Sequence, residues 1–167
     1  LSASRNNALK IVNGEYILFL DSDDYLRLDA CSFLYNNCAK YNIEMYNFAG
    51  TNFDDVTGKV QQLPFQKITY IDWSKKFYDR AEIETFMFKI PISACRFFYK
   101  REFLAKHNIV FPQGLNFEDN VFVRKASLYV QRFGGTNEIL YNRRVHPGSI
   151  TQNIDKCHRF SNFPRFP

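Results

Sequence analysis

Residues 16–24 read YILFLDSDD: an apolar run, Tyr16–Leu20, that passes directly into Asp21, Asp23 and Asp24. A short continuous run of Ile, Leu and Phe suits a strand buried on both faces of a parallel sheet. Such sheets bind ligands beyond the carboxyl ends of their strands, so the three carboxylates are predicted at a ligand position. Like charges this close repel, which calls for a cation between them. Oxygen ligands of this kind suit Mg²⁺ or Mn²⁺, and a divalent ion held by one or two carboxylates commonly also holds a phosphate. The competing reading is a solvated acidic turn and a helix cap, since Asp and Ser are good N-cap residues. An EF-hand is excluded: counted from Asp21, the sixth position is Leu26 where Gly is needed, and the twelfth is Ser32 where Glu is needed.

Outward from this stretch, Ser2 or Ser4 can cap a helix to about Val12 with Ala8, Leu9 and Val12 on one face, and Gly14 stands where a left-handed C′ residue is expected. After the acidic turn, a helix is predicted over 29–41 and a strand over 43–48. Helix, strand, helix, strand in this rhythm indicates α/β architecture with parallel pairing. Asp54 to Lys59, with Gly58, reads as a hairpin turn. Asp72 can cap a helix through about Lys89 that Pro91 closes. Ser93–Tyr99 is strand-like, and Arg101–His107 a short helix. Asn116 caps a helix over 117–130 with Glu118 and Asp119 in its first turn. Gly134-Gly135 reads as a turn and Glu138–Val145 as a last strand.

The chain has 167 residues and is 46% hydrophobic, enough for one sizeable core. Its 18 Phe and 10 Tyr predict a sticky surface in addition to a core. No run approaches the ~18 apolar residues of a membrane span, and no signal peptide opens the chain, so the default location is cytoplasmic. Cys31, Cys38, Cys95 and Cys157 show no CxxC and no zinc spacing, and reduced, buried thiols are expected. Net charge is +5, with Arg143, Arg144, Lys156, Arg159 and Arg165 gathered near the end. That excess suits an anionic membrane surface, nucleic acid or a phosphate-bearing ligand, or is merely solvated. The chain opens on Leu1-Ser2 without an initiator Met, and a piece of something longer is expected.

Read together, SRNNALKIVNGEYILFLDSDDYL resembles the family 2 glycosyltransferases almost without gaps, Ser4 standing where the family usually has Ala. NFEDNVFVRKA (116–126) resembles that family's ED motif at a helix start, and LYNRRVHPGSIT (140–151) its C-terminal segment. SACRFFYKREFLAKHNIVFPQGL is similar to the stretch before the ED motif in capsule and lipopolysaccharide members. The resemblance covers most of residues 2–152, three motifs in order, and implies a partial GT-A domain over 1–152 and a basic irregular tail over 153–167. It implies the GT-A α/β fold, a Rossmann-like mixed sheet flanked by helices, here lacking its first strand, helix and strand.

By the same resemblance, Arg5 reaches the nucleotide, while Asp21 and Asp23 are the DxD carboxylates, one near the ribose and one on the metal. Asp24 extends the metal-binding cluster. Asp119 is the catalytic base with Glu118 its companion, and Arg144, His146 and Ser149 fall in a segment that closes over the diphosphate. The implied reaction is metal-dependent, inverting transfer from a nucleotide-sugar donor, a UDP-sugar by family frequency, to a hydroxyl of a glycan or lipid-linked acceptor. Mn²⁺ or Mg²⁺ is the implied cofactor. The place is the cytoplasm, with peripheral association at the inner face of the membrane, and no nucleic acid is expected. A truncated chain is expected to be a poor enzyme by itself. Two other readings remain: a different metal-dependent phosphate enzyme, for which the later Lys and Asp motifs of a phosphohydrolase are not found, and a non-catalytic basic module that binds polyanions or membrane surfaces.

Overall fold

The computed structural model describes residues 1–61 and 70–145. His146, Ser149, Cys157 and the tail lie outside these residues. The architecture is α/β, as expected. In chain order the elements are α1 (Ser2–Ile11), β1 (Tyr16–Leu18), β2 (Tyr25–Leu26), α2 (Ala30–Ala39), β3 (Met45–Asp54), β4 (Val60–Gln61), α3 (Arg80–Glu84), a 3₁₀ turn (Ala94–Arg96), β5 (Phe97–Lys100), α4 (Arg101–Lys106), α5 (Glu118–Tyr129) and β6 (Phe133–Val145).

The strands form one mixed sheet in the order β1-β5-β3-β6-β2, with β4 paired to β3. Among the described residues only the long β3–β6 pairing is parallel; β1–β5, β3–β5, β3–β4 and β2–β6 are antiparallel. This corrects the expectation for YILFL. β1 lies at one end of the strand order and pairs antiparallel with β5, its one strand partner among the described residues. It is shorter than Tyr16–Leu20, and its exposure alternates: Ile17 and Phe19 are buried while Leu20 is exposed. The strand buried on both faces is β3, whose first seven residues are all buried. Its position between β5 and β6 explains that burial, and its polar Asn47 and Thr51 hid it from a count of apolar residues.

The core joins β3, β5 and the start of β6 to the inner faces of α2 (Ala30, Leu34, Cys38), α4 (Phe103, Leu104) and α5 (Phe122, Val123, Ala126). Phe111 stacks on Phe122 at 3.9 Å, and Phe19 meets both rings edge-on. Edge-to-face and offset arrangements of this kind are the favoured geometries of aromatic quadrupoles.

Several local expectations are corrected. α1 begins at Ser2 without a side-chain cap, and its buried residues are Ser2 and Arg5, with Leu9 partly buried and Ala8 and Val12 exposed. Gly14 does not take a positive φ. The long helix expected from Asp72 is instead a turn at Ser74 plus the five-residue α3, where Asp79 and Glu82 form a reciprocal capping box. Phe117, not Asn116, is the N-cap of α5, at φ 61° and ψ 44°. Cys38 and Cys95 are buried free thiols as expected, but Cys31 is exposed.

Gly134 and Gly135 are not a turn; they lie inside β6 opposite Tyr46 and Asn47. Glycine is needed there by contact: a Cβ on Gly135 would stand 2.2 Å from the Trp73 ring and 2.9 Å from the Asn47 carbonyl oxygen, and one on Gly134 2.7 Å from the Tyr46 ring. Gly135→Ala is therefore expected to destabilise the chain by about 1–3 kcal/mol, the usual cost of overpacking. Chemical denaturation checks this, and an unchanged midpoint would refute the contact account.

Candidate functional site

Three separated pieces of sequence meet at one guanidinium. Arg5, on the inward face of α1, donates from Nη2 to Asp21 Oδ1 at 2.7 Å and from Nη1 to Asp119 Oδ1 at 2.6 Å and Glu118 Oε1 at 3.3 Å. The same Nη2 stands 3.8 Å from Cys95 Sγ. Arg5 is only 9% exposed, and its guanidinium carbon lies 5.0 Å from the centre of the Phe111 ring and 6.0 Å from that of Phe19. A planar fork of five donors over aromatic faces suits Arg and not Lys. Burial pulls the Arg5 pKa down, but Asp119, Cys95 and Asp21 together raise it above the ordinary value. The neighbouring Asn6 fixes α1 by a two-way bond with Phe111, donating to its carbonyl at 2.8 Å and accepting from its N–H at 2.9 Å.

Asp119 is held at both of its oxygens. Its Oδ2 accepts the Ala94 N–H at 2.8 Å while Oδ1 takes Arg5. Burial raises its pKa, partly opposed by the Ala94 amide and by Arg5, and Glu118 adds to the rise. Each oxygen keeps a further lone-pair site, so the carboxylate can still accept a proton. Its place in the first turn of α5 adds the helix dipole to what holds its charge. Burial also pushes the Cys95 thiol up to about 12, which keeps it neutral.

The acidic turn divides. Asp21 faces Arg5 through Oδ1 with its side chain 41% exposed, and Asp23 is exposed. Asp24 instead turns to β6: Tyr141 donates its hydroxyl to Oδ2, and the Arg144 N–H donates to Oδ1 at 2.8 Å. The Arg144 guanidinium leans toward Asp55 at 3.6 Å. Among the described residues no three His, Cys, Asp or Glu side chains are grouped so as to hold a metal by themselves. Two solvent-facing carboxylates beside each other fit Mg²⁺ or Mn²⁺, ions that usually retain waters and substrate phosphates instead of a full protein cage.

The structure thus brings Arg5, Asp21, Glu118 and Asp119 together. It sets Asp23 and Asp24 on the adjoining turn and ties the Arg144 backbone to that turn. Asn6, Ala94, Cys95, Phe111 and Tyr141 also build the site and were missed in the sequence. Asn6 carried no signal of its own, because Ser2, Ser4, Asn7 and Lys10 make polar residues common on this helix.

The sequence profile of the family described as Glycosyl transferase family 2 matches residues 1–107. EpsH of Bacillus subtilis strain 168, named as a glycosyltransferase, is 29% identical over 160 residues, covering 93% of this chain and 45% of its own length. The poly(ribitol-phosphate) beta-glucosyltransferase of Bacillus spizizenii is 30% identical over 133 residues, covering 78% of this chain and 19% of its own. Among solved structures, residues 1–349 of S. aureus TarS in complex with UDP-GlcNAc superpose with a TM-score of 0.71 at 20% identity, covering 93% of this chain and 42% of that one. That likeness shows the fold to be of the GT-A type. The chain spans less than half the length of these relatives. No helix among the described residues is long and apolar enough to cross a membrane.

Arg5→Met removes the one cation set between Asp21, Glu118 and Asp119, and a loss of about 3–5 kcal/mol is expected, as for breaking a buried ion pair. The sign of its pH dependence follows from Asp119. Its folded pKa is already raised above the ordinary carboxylate value, so its contribution favours the folded state at low pH and is lost as pH rises through the raised value. Without Arg5 that rise grows, and the gap between wild type and variant should widen from pH 4 to pH 7 in urea melts. A gap independent of pH would contradict the electrostatic account.

Proposed function

Since this chain belongs to glycosyl transferase family 2, we propose that it carries the donor turn and the catalytic carboxylate of a metal-dependent, inverting glycosyltransferase. The donor is a nucleoside-diphosphate sugar, of the UDP type, and the acceptor a hydroxyl of a glycan or a lipid-linked saccharide. The observation that carries this reading is Arg5, which binds Asp21 of the acidic turn and Asp119 of α5 at once. Donor-side and acceptor-side groups are thereby held within one guanidinium's reach. TarS structures with UDP-GlcNAc and with UDP support a nucleotide-sugar donor for this fold.

In this reading Asp23, with Asp21 beside it, would hold Mn²⁺ or Mg²⁺. When bound, the ion supplies positive charge where the leaving diphosphate becomes more negative. The chain's own residues do the rest. Asp119 takes the acceptor hydroxyl's proton on a carboxylate oxygen as the hydroxyl oxygen attacks the anomeric carbon from the face opposite the diphosphate; the bond to the diphosphate breaks, the nucleoside diphosphate leaves, and the centre is inverted. Its burial makes it a stronger base than an exposed Asp. Arg5 keeps it aimed and ionised, Ala94 N–H fixes its other oxygen, and Glu118 shares the Arg5 guanidinium. Asp21 stays oriented through Arg5 toward the nucleotide. Arg144 supplies positive charge on the diphosphate side, and the roles expected of His146 and Ser149 fall on residues outside those described. Catalysis takes place at the inner face of the membrane, reached by peripheral association.

Asp119→Asn keeps the shape and removes the proton acceptor. In the complete enzyme, turnover should fall by roughly 10²–10⁴-fold with donor binding nearly intact. Asp23→Asn should instead weaken metal and donor binding together. Because Asp119 must be ionised, wild-type turnover should drop as pH falls through its raised pKa, giving an acid limb above the ~3.9 of an ordinary Asp. Radiolabelled sugar transfer with donor titrations reads all three. Near-normal turnover in Asp119→Asn would return that residue to a helix-dipole role.

A further inference from the structure

The third carboxylate of the acidic turn does not behave like the other two. Asp24 Oδ2 accepts the Tyr141 hydroxyl and its Oδ1 accepts the Arg144 N–H at 2.8 Å, so both oxygens are directed to β6. Tyr141 is 4% exposed, and turning Oδ2 toward an ion would strand a buried phenol without its acceptor. The surrounding geometry is that of an anchor. The Asp24 N–H donates to the Asp21 carbonyl at 3.1 Å, which closes the turn. The next residues, Tyr25 and Leu26, pair with Asn142 and Tyr141 themselves. The same few residues of β6 therefore grip the turn by side chain and by backbone.

Resting on the glycosyltransferase reading above, we propose that Asp24 is a positioning residue and not a metal ligand: by binding Tyr141 and the Arg144 amide it fixes the acidic turn to the end of β6 and so sets where Asp21 and Asp23 present their carboxylates. The ion is then served by two carboxylates of the turn, and the third spends its charge on the protein. Tyr141, which the resemblance assigns no role, becomes part of the donor site through Asp24.

The test compares Asp24→Ala, Asp24→Asn, Tyr141→Phe, the Asp24→Ala/Tyr141→Phe double variant and Asp23→Asn in the 167-residue chain. Two quantities are read: thermal unfolding without metal, and Mn²⁺ uptake in the presence of UDP by electron paramagnetic resonance. Asp24→Ala and Tyr141→Phe should each lower Tm by about 2–4 °C, and the double variant should fall short of their sum because the two share one interaction. Both should weaken Mn²⁺ uptake by about 10-fold, the low end for residues that orient a metal's ligands. Asp24→Asn should recover part of both losses, since its carbonyl oxygen can still accept the Arg144 N–H while its NH2 donates to the Tyr141 oxygen, reversing that bond. Asp23→Asn should weaken Mn²⁺ uptake the most.

If Asp24→Asn were as poor in Mn²⁺ uptake as Asp23→Asn while Tyr141→Phe matched wild type, Asp24 would be a ligand and the proposal wrong. Lowered Tm with Mn²⁺ uptake unmoved in every Asp24 and Tyr141 variant would make the contact purely structural, and would also overturn it. Wild-type chain that takes up no Mn²⁺ with UDP would overturn the underlying functional reading, and additive Tm losses would separately overturn the anchor.

Discussion

One guanidinium holds this site together. Arg5 comes from the first helix, Asp21 from the turn after the first strand, and Glu118 and Asp119 from the start of a helix more than a hundred residues later. Without the cation, three carboxylates would share a partly buried space, and their repulsion would drive α5, the acidic turn or both toward solvent. With it, one charge faces three, so the cluster keeps a negative balance that suits a further cation nearby. The Phe19 and Phe111 rings beneath Arg5, the latter backed by Phe122, make this possible. Flat rings accept a guanidinium face while its edge donors point at the carboxylates.

This constraint explains why α1 is oriented against its own hydrophobic pattern. Periodicity places Ala8, Leu9 and Val12 inward, yet Ala8 and Val12 are exposed while Arg5 is buried. Four polar contacts of Arg5 and the two-way Asn6–Phe111 bond outweigh the burial of two aliphatic side chains. A sequence shows the apolar stripe of a helix but not the charges it will meet after a hundred residues of chain.

Much of the fold was legible. The α/β rhythm, α2, α4, α5, the Asp54–Lys59 hairpin and the position of the three aspartates just past β1 follow from periodicity and turn chemistry. What failed did so for physical reasons. β1 reads as a central strand because its residues are apolar, but strand order is fixed by partners, and β3 holds the central place with Asn47 and Thr51 buried in it. Gly134-Gly135 has turn composition, whereas the glycines serve the approach of Trp73 and Tyr46 to β6. The Asp79–Glu82 capping box was visible and should have displaced the longer helix drawn from Asp72. The carboxylates of the site could be chosen from the sequence by their pattern. How they divide, with Asp21 on Arg5 and Asp24 on Tyr141, could not, because it depends on where β6 returns to the turn.

The account stands on the claim that the acidic turn and the start of α5 form one donor-and-acceptor site around Arg5. A crystal of this chain grown with Mn²⁺ and UDP, located by manganese anomalous scattering, tests it most directly. The expected result is a manganese peak roughly 2 Å from an Asp23 carboxylate oxygen, the span of direct coordination to oxygen, with the diphosphate on its far side and Arg5 still bound to Asp119. A manganese ion coordinated away from the acidic turn, or UDP bound with Arg5 released from Asp119, would contradict it.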